Sequence, residues 1–141
     1  MEDARRRLYW HGLLLFLLGL VTGLVQHLFE NPRVGLSAHL EAILNGMFLM
    51  LVGAAWPLVR LSAGAARAAF GALLYGAYAN WAFVLFAALA GTGALMPIAA
   101  PGREAAGWQE TLVTAGLGSV VVAMVAGVGL LLWGTRRAAA R

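Results

Sequence analysis

Four polar side chains lie where the rest of the chain is soluble in lipid. They are His39 and Glu41 in Ala38-His39-Leu40-Glu41, Asn45 in Leu44-Asn45-Gly46-Met47, and Asn80 in Tyr78-Ala79-Asn80-Trp81. Imidazole, carboxylate and amide groups can bind a ligand, move a proton or orient a substrate by hydrogen bonds. In hydrocarbon each is costly unless it finds a partner, so polar groups at that depth are functional candidates by default. Glu41 and Asn45 are spaced i,i+4 and share a helix face, whereas His39 points about 120° away from Asn45. That spread predicts two different neighbours, one of which could belong to another subunit. Asn45 lies about 9 Å further along the helix than His39, and Asn80 about 16 Å from the end of its own helix, so the two asparagines fall in one layer. A shared pocket follows. The plainer readings are a His39 that bonds headgroups or a loop carbonyl, asparagines that glue helices together for about 1 kcal/mol each, and a Glu41 solvated at the rim.

Aromatic residues surround this layer. Phe48, Tyr75, Tyr78, Trp81 and Phe83 could clamp a flat aromatic substrate by stacking, or serve as ordinary packing. His27, with Gln26 beside it, falls at the same end as His39 and could approach it as a second metal or haem ligand. His11 falls at the other end, which suits snorkelling or structure. Trp10, Trp56, Trp108 and Trp133 fall near predicted helix boundaries, where an interfacial aromatic belt is expected.

The elements that must position these groups are membrane helices. Of 141 residues 62% are hydrophobic and 11% charged, with a mean hydropathy of +0.81. A soluble domain of this size needs a polar surface that such a composition does not supply. The charges are clumped, leaving 8–29, 42–59, 68–102 and 111–135 free of them. Since about 20 apolar residues span a bilayer, these stretches predict transmembrane helices at about 8–28, 38–59, 68–91 and 111–134. Asn31-Pro32-Arg33 and Ser62-Ala63-Gly64 make the first two turns. A longer third loop is broken by Gly91, Gly93, Pro97, Pro101 and Gly102. The prediction is an all-α integral membrane protein, one four-helix domain over 1–141.

All ten basic residues are arginine. Arg5, Arg6, Arg7, Arg60, Arg67, Arg136, Arg137 and Arg141 fall on one side of this topology and only Arg33 and Arg103 on the other. That asymmetry places both termini in the cytoplasm of an inner-membrane protein and reads as orientation rather than nucleic-acid binding. The first apolar run is long enough to span and reads as a retained helix rather than a cleaved signal. The absence of cysteine excludes disulfides, thiolate nucleophiles, iron–sulfur clusters and covalently attached haem. Gly19 and Gly23, and Ala123 and Gly127, have the small-xxx-small spacing that permits close helix contact within the bundle or between subunits.

The chain resembles the small membrane isomerases that include hydroxylaminobenzene mutase and styrene oxide isomerase. Trp10-His11-Gly12-Leu13, the block from Asn31 through Glu41, Leu44-Asn45-Gly46-Met47 and Tyr78-Ala79-Asn80 carry the resemblance. It covers most of helices 1 to 3, and Asn31 to Met47 looks most like the mutase branch. In the epoxide isomerase branch the assembly is a homotrimer with haem b at subunit interfaces, its ferric iron a Lewis acid, and the resemblance implies the same for this chain. His39 corresponds to the axial histidine, and Asn45 and Asn80 to the pocket asparagines. The epoxide branch has a tyrosine four residues after the second asparagine. Val84 stands there, which argues against epoxide chemistry.

The resulting expectation is a redox-neutral mutase converting hydroxylaminobenzene, or a related N-aryl hydroxylamine, to an ortho-aminophenol. Asn45 and Asn80 would orient the hydroxylamine and Glu41 would relay the ring proton. The alternatives are an epoxide isomerase making an aryl aldehyde, and a non-enzymatic transporter or cytochrome b-like subunit.

Overall fold

The computed structural model describes residues 2–139, without the side chains of residues 2 and 137–139. Among these residues it has four long helices: α1 (Glu2–Val25), α2 (Pro32–Ala55), α3 (Ala63–Ala90) and α4 (Gly107–Ala139). Single 3₁₀ turns, Gln26–Leu28 and Trp56–Leu58, extend the first two. All four are long and apolar enough to cross a membrane, and the chain is a multi-pass membrane protein.

Local chemistry sets where the helices begin. Asn31 caps α2, its side-chain oxygen accepting from the backbone N–H of Arg33 (3.1 Å) and Val34 (3.3 Å), and Pro32 occupies the first turn, where a missing N–H costs nothing. Helix 2 therefore starts six residues before the expected position 38. His39 is about 10 Å inside it rather than at its mouth. Ser62 caps α3 in the same way, through Ala65. Gly91 ends α3 in the left-handed region at φ 71°, a conformation glycine adopts without a Cβ clash.

The helices pack in chain order, α1 on α2, α2 on α3 and α3 on α4. Glycine sets the first contact. A Cβ built on Gly12 would lie 2.6 Å from the Gly46 carbonyl oxygen, and one on Gly46 would lie 2.7 Å from that of Gly12. The two backbones touch directly. Gly19 meets Ala42 and Ile43, and Gly23 meets the His39 ring, so the first small-residue pair serves α1–α2 packing inside the bundle. On α4, Gly116 meets Phe83 and Gly127 meets Leu73.

Two apolar clusters fill the interior. One, with Leu8, Leu15, Leu49, Val52, Trp56 and Leu73, lies toward the arginine-rich end. The other, with Val34, Ala38, Val84, Ala87 and Val113, lies toward the opposite end. The N-terminal turn of α1, the α2–α3 connection and the end of α4 share the first end, where the Arg60 N–H donates to the Gly134 carbonyl. At the other end the Asn31 N–H donates to Ala88 O, Arg103 pairs with Glu30 at 3.0 Å, and the Glu110 carboxylate accepts from the N–H groups of Gly93, Ala94 and Ala105.

One expectation is corrected here. Trp56 does not join an interfacial belt, being 4% exposed and edge-on to Phe70 in the core. Pro57 lies in the 3₁₀ turn that follows α2, and Trp56 packs inward at that turn. Trp10, Trp108 and Trp133 are exposed as expected.

The glycine contact yields the first prediction. Gly46→Ala places a methyl against backbone atoms that cannot rotate away, so it should destabilise the bundle by about 1–3 kcal/mol in reversible unfolding. Gly71→Ala, which meets open space, should cost almost nothing. Equal stabilities would contradict the close α1–α2 approach.

Candidate functional site

His39 lies half-buried on the side of α2 that faces α1. Its Nδ1 is 2.7 Å from the backbone carbonyl oxygen of Gly19. A carbonyl only accepts, so Nδ1 carries a proton, and in the neutral ring Nε2 is the nitrogen with the lone pair. That carbonyl lies in mid-helix, where it already takes the N–H four residues on, and His39 uses its second lone pair. Gly23 makes the approach possible. A Cβ there would lie 2.6 Å from His39 Nδ1. Among the described residues Nε2 has no hydrogen-bond partner.

A histidine that donates Nδ1–H to a backbone carbonyl and presents Nε2 is the arrangement that orients metal-ligating imidazoles. The donor set therefore fits an axial haem ligand. Among the described residues no group of three or more His, Asp or Glu side chains could hold a bare metal ion. One imidazole suits an iron already held by four porphyrin nitrogens.

Glu41 and Asn80 meet on the α2–α3 side. Asn80 Nδ2 donates to Glu41 Oε2 at 2.5 Å, a hydrogen bond that joins the two helices at one depth. Asn45, one turn further along the Glu41 face, has its Nδ2 buried with no hydrogen-bond partner among the described residues. A buried amide donor left in that state costs about 1–3 kcal/mol, which an acceptor from a ligand would relieve. The structure thus brings Glu41 and Asn80 together and leaves Asn45 as a free donor on the same face. Within one copy it does not bring His39 to them, because His39 turns to α1. His27 is exposed in the turn after α1 and makes no hydrogen bond to His39 among the described residues.

The five candidate aromatics do not form one wall. Phe48, Tyr78 and Trp81 pack against the first core cluster, and Trp81 also reaches the second. Tyr75 and Phe83 turn to α4, where the Tyr75 hydroxyl meets Ser119 Oγ at 2.6 Å and the Phe83 ring covers Gly116. The helical period separates them, since positions 78 and 81 lie within about 60° of each other and 83 falls outside that arc. Tyr78 is further removed from the amide layer by its bonds to His11. Its hydroxyl donates to the His11 carbonyl (3.1 Å) and accepts from His11 Nδ1–H (3.2 Å). His11 is structural, as its position suggested.

Sequence reasoning missed Thr22. It is 4% exposed, donates to Leu18 O at 2.8 Å and accepts from the Trp81 indole N–H at 3.2 Å. This bond ties α1 to α3 beside His39 and Asn80. The signal was a lone hydroxyl between Gly19 and Gly23.

Comparison with known proteins gives the family of the chain. The styrene oxide isomerase family profile matches residues 4–136. The chain belongs to that family. It is 50% identical to hydroxylaminobenzene mutase HabB of Ectopseudomonas oleovorans over 96% of this chain and 84% of the relative. It is 45% identical to hydroxylaminobenzene mutase HabA of the same organism over 92% of this chain and 97% of the relative. No solved structure matches.

The Glu41–Asn80 bond should appear as coupling between the residues. In a double-mutant cycle with Glu41→Leu and Asn80→Ala, reversible unfolding should give an interaction energy of about 1 kcal/mol. Additive effects would show that the two groups do not meet.

Proposed function

We propose that this protein is an intramolecular mutase that converts hydroxylaminobenzene, or a related N-aryl hydroxylamine, to an ortho-aminophenol. The identity to two proteins named hydroxylaminobenzene mutase over nearly the whole chain supports the reading. The observation that carries it is the unpartnered Asn45 amide on the same face as the Asn80-bound Glu41. Substrate and product are isomers. The N–O bond breaks, a C–O bond forms at the ortho carbon, that carbon loses a proton and the nitrogen gains one, with no electrons from outside.

In this reading His39 Nε2 would hold ferric haem b, its ring fixed by the Gly19 carbonyl. The chemistry such a group would supply is Lewis-acid polarisation of the N–O oxygen. Asn45 Nδ2 donates to the same oxygen as negative charge gathers on it, a hydrogen bond that strengthens toward the transition state. Glu41 accepts the ortho proton as the ring regains aromaticity, and Asn80 holds the carboxylate in place for it. Phe48 and Trp81 border the layer as apolar walls that keep water out. A homotrimer reconciles the two faces of α2, because His39 of one copy can then serve the amide layer of the next. The arginine asymmetry supports cytoplasmic termini and an inner-membrane location.

The runner-up is epoxide-to-aldehyde rearrangement, which the family name supports and position 84 disfavours. Val84 is 5% exposed and packs in the second core cluster, so this position offers no hydroxyl to an epoxide oxygen.

Purified membranes given hydroxylaminobenzene without NADH should accumulate 2-aminophenol. No turnover, with styrene oxide converted to an aldehyde instead, would overturn the mutase reading. Solubilised protein should show a Soret band that His39→Ala abolishes; no band in fully loaded protein would overturn the haem assignment. Asn45→Ala should lower kcat about a hundredfold with an unchanged circular dichroism spectrum, and unaltered kcat would remove Asn45 from the site.

A further inference from the structure

The arginine-rich end carries a cavity that the isomerase reading does not use. It measures about 540 Å³ and is lined by Arg5, Arg6, Tyr9, Trp10, Leu13 and Ala54. We infer that it seats one anionic phospholipid of the surrounding leaflet, with the phosphodiester on Arg5 and Arg6 and an acyl chain along Tyr9, Trp10 and Leu13.

The order of residues along α1 matches such a molecule. Arg5, Tyr9 and Leu13 follow each other at i,i+4, and Arg6 stands one turn above Trp10, so the wall passes from cationic to aromatic to aliphatic. The rise along α1 from Arg5 and Arg6 to Leu13 is about 10–12 Å, enough to carry the wall from the headgroup layer into hydrocarbon. Ala54 of α2 has a short side chain that leaves the groove open. Tyr9, Trp10 and Leu13 are each about half exposed (49%, 58% and 51%), a continuous apolar strip directly beneath two cations.

Charge favours an anion. Among the described side chains, Arg5, Arg6, Arg7, Arg60, Arg67 and Arg136 lie at this end of the bundle with a single carboxylate, Asp3. Arg5 has no ion pair or hydrogen bond among the described residues, and the Arg6 guanidinium has only Asp3, at 3.9 Å and almost fully exposed. Arg7 is engaged elsewhere, over the Phe70 ring at 4.8 Å. Two guanidiniums with donors to spare, above an amphipathic aromatic pair, suit the phosphodiester of a lipid. A free phosphate would use the arginines alone and leave the strip bare.

The test titrates the full-length protein in mixed micelles with phosphatidylglycerol or with phosphatidylcholine of the same acyl chains. Native mass spectrometry counts the bound lipid, and glycerol 3-phosphate serves as the headgroup-only probe. One phosphatidylglycerol per chain should be retained with at least about tenfold preference over phosphatidylcholine. Arg5→Gln with Arg6→Gln should weaken it about thirtyfold, and Arg33→Gln at the opposite end should leave it unchanged. Trp10→Ala should weaken lipid binding as well. Equal retention of the two lipids overturns the inference, and that comparison on the unaltered protein decides even if the arginine variants fail to fold. Equal loss in Arg33→Gln would reduce the effect to diffuse attraction. Glycerol 3-phosphate binding as tightly as the lipid would make the cavity an anion site with no lipid in it.

Discussion

The close approach of α1 and α2 is the constraint on which the rest depends. Two helix backbones touch only where neither carries a Cβ, as at Gly12 and Gly46. That contact brings the second lone pair of a mid-helix carbonyl within reach of a side chain on the facing helix. Gly19 offers the carbonyl, Gly23 clears the path, and His39 donates into it. A backbone carbonyl is a firm anchor for an imidazole, because no rotamer can move it. The same bond that holds the ring also decides which nitrogen carries the lone pair in the neutral imidazole.

The remaining polar groups show how a small bundle handles such groups in lipid. Glu41 with Asn80, Thr22 with Trp81, and His11 with Tyr78 each bond across a different helix pair or depth. Each pairing both satisfies its members and fixes the relative rotation of two helices. Against that background two buried polar atoms have no hydrogen-bond partner among the described residues, Asn45 Nδ2 and Gln26 Oε1.

Much of this was legible in the sequence. The spans followed from four charge-free stretches, and the i,i+4 spacing of Glu41 and Asn45 against the offset of His39 correctly separated the two faces of α2. The start of α2 was misplaced because Asn31-Pro32-Arg33 was read as a turn. The same three residues are a cap and a first helical turn, and only φ/ψ distinguishes the two. The aromatic clamp dissolved because composition does not say which arc of α3 faces α4. Thr22 went unnoticed since a single hydroxyl in an apolar run is silent until its partner, Trp81, is known. The inward turn of Trp56 likewise depended on the 3₁₀ segment after α2, a tertiary matter.

The central claim is the protonation pattern of one ring, and nitrogen NMR of histidine-labelled, haem-free protein tests it most directly, with His39 assigned by its loss in His39→Gln. The structure predicts a protonated Nδ1 in a hydrogen bond and a bare, pyridine-type Nε2, a pattern that Gly23→Ala should disturb. A proton found on Nε2, with Nδ1 bare, would contradict the account, because His39 could then not donate to the Gly19 carbonyl.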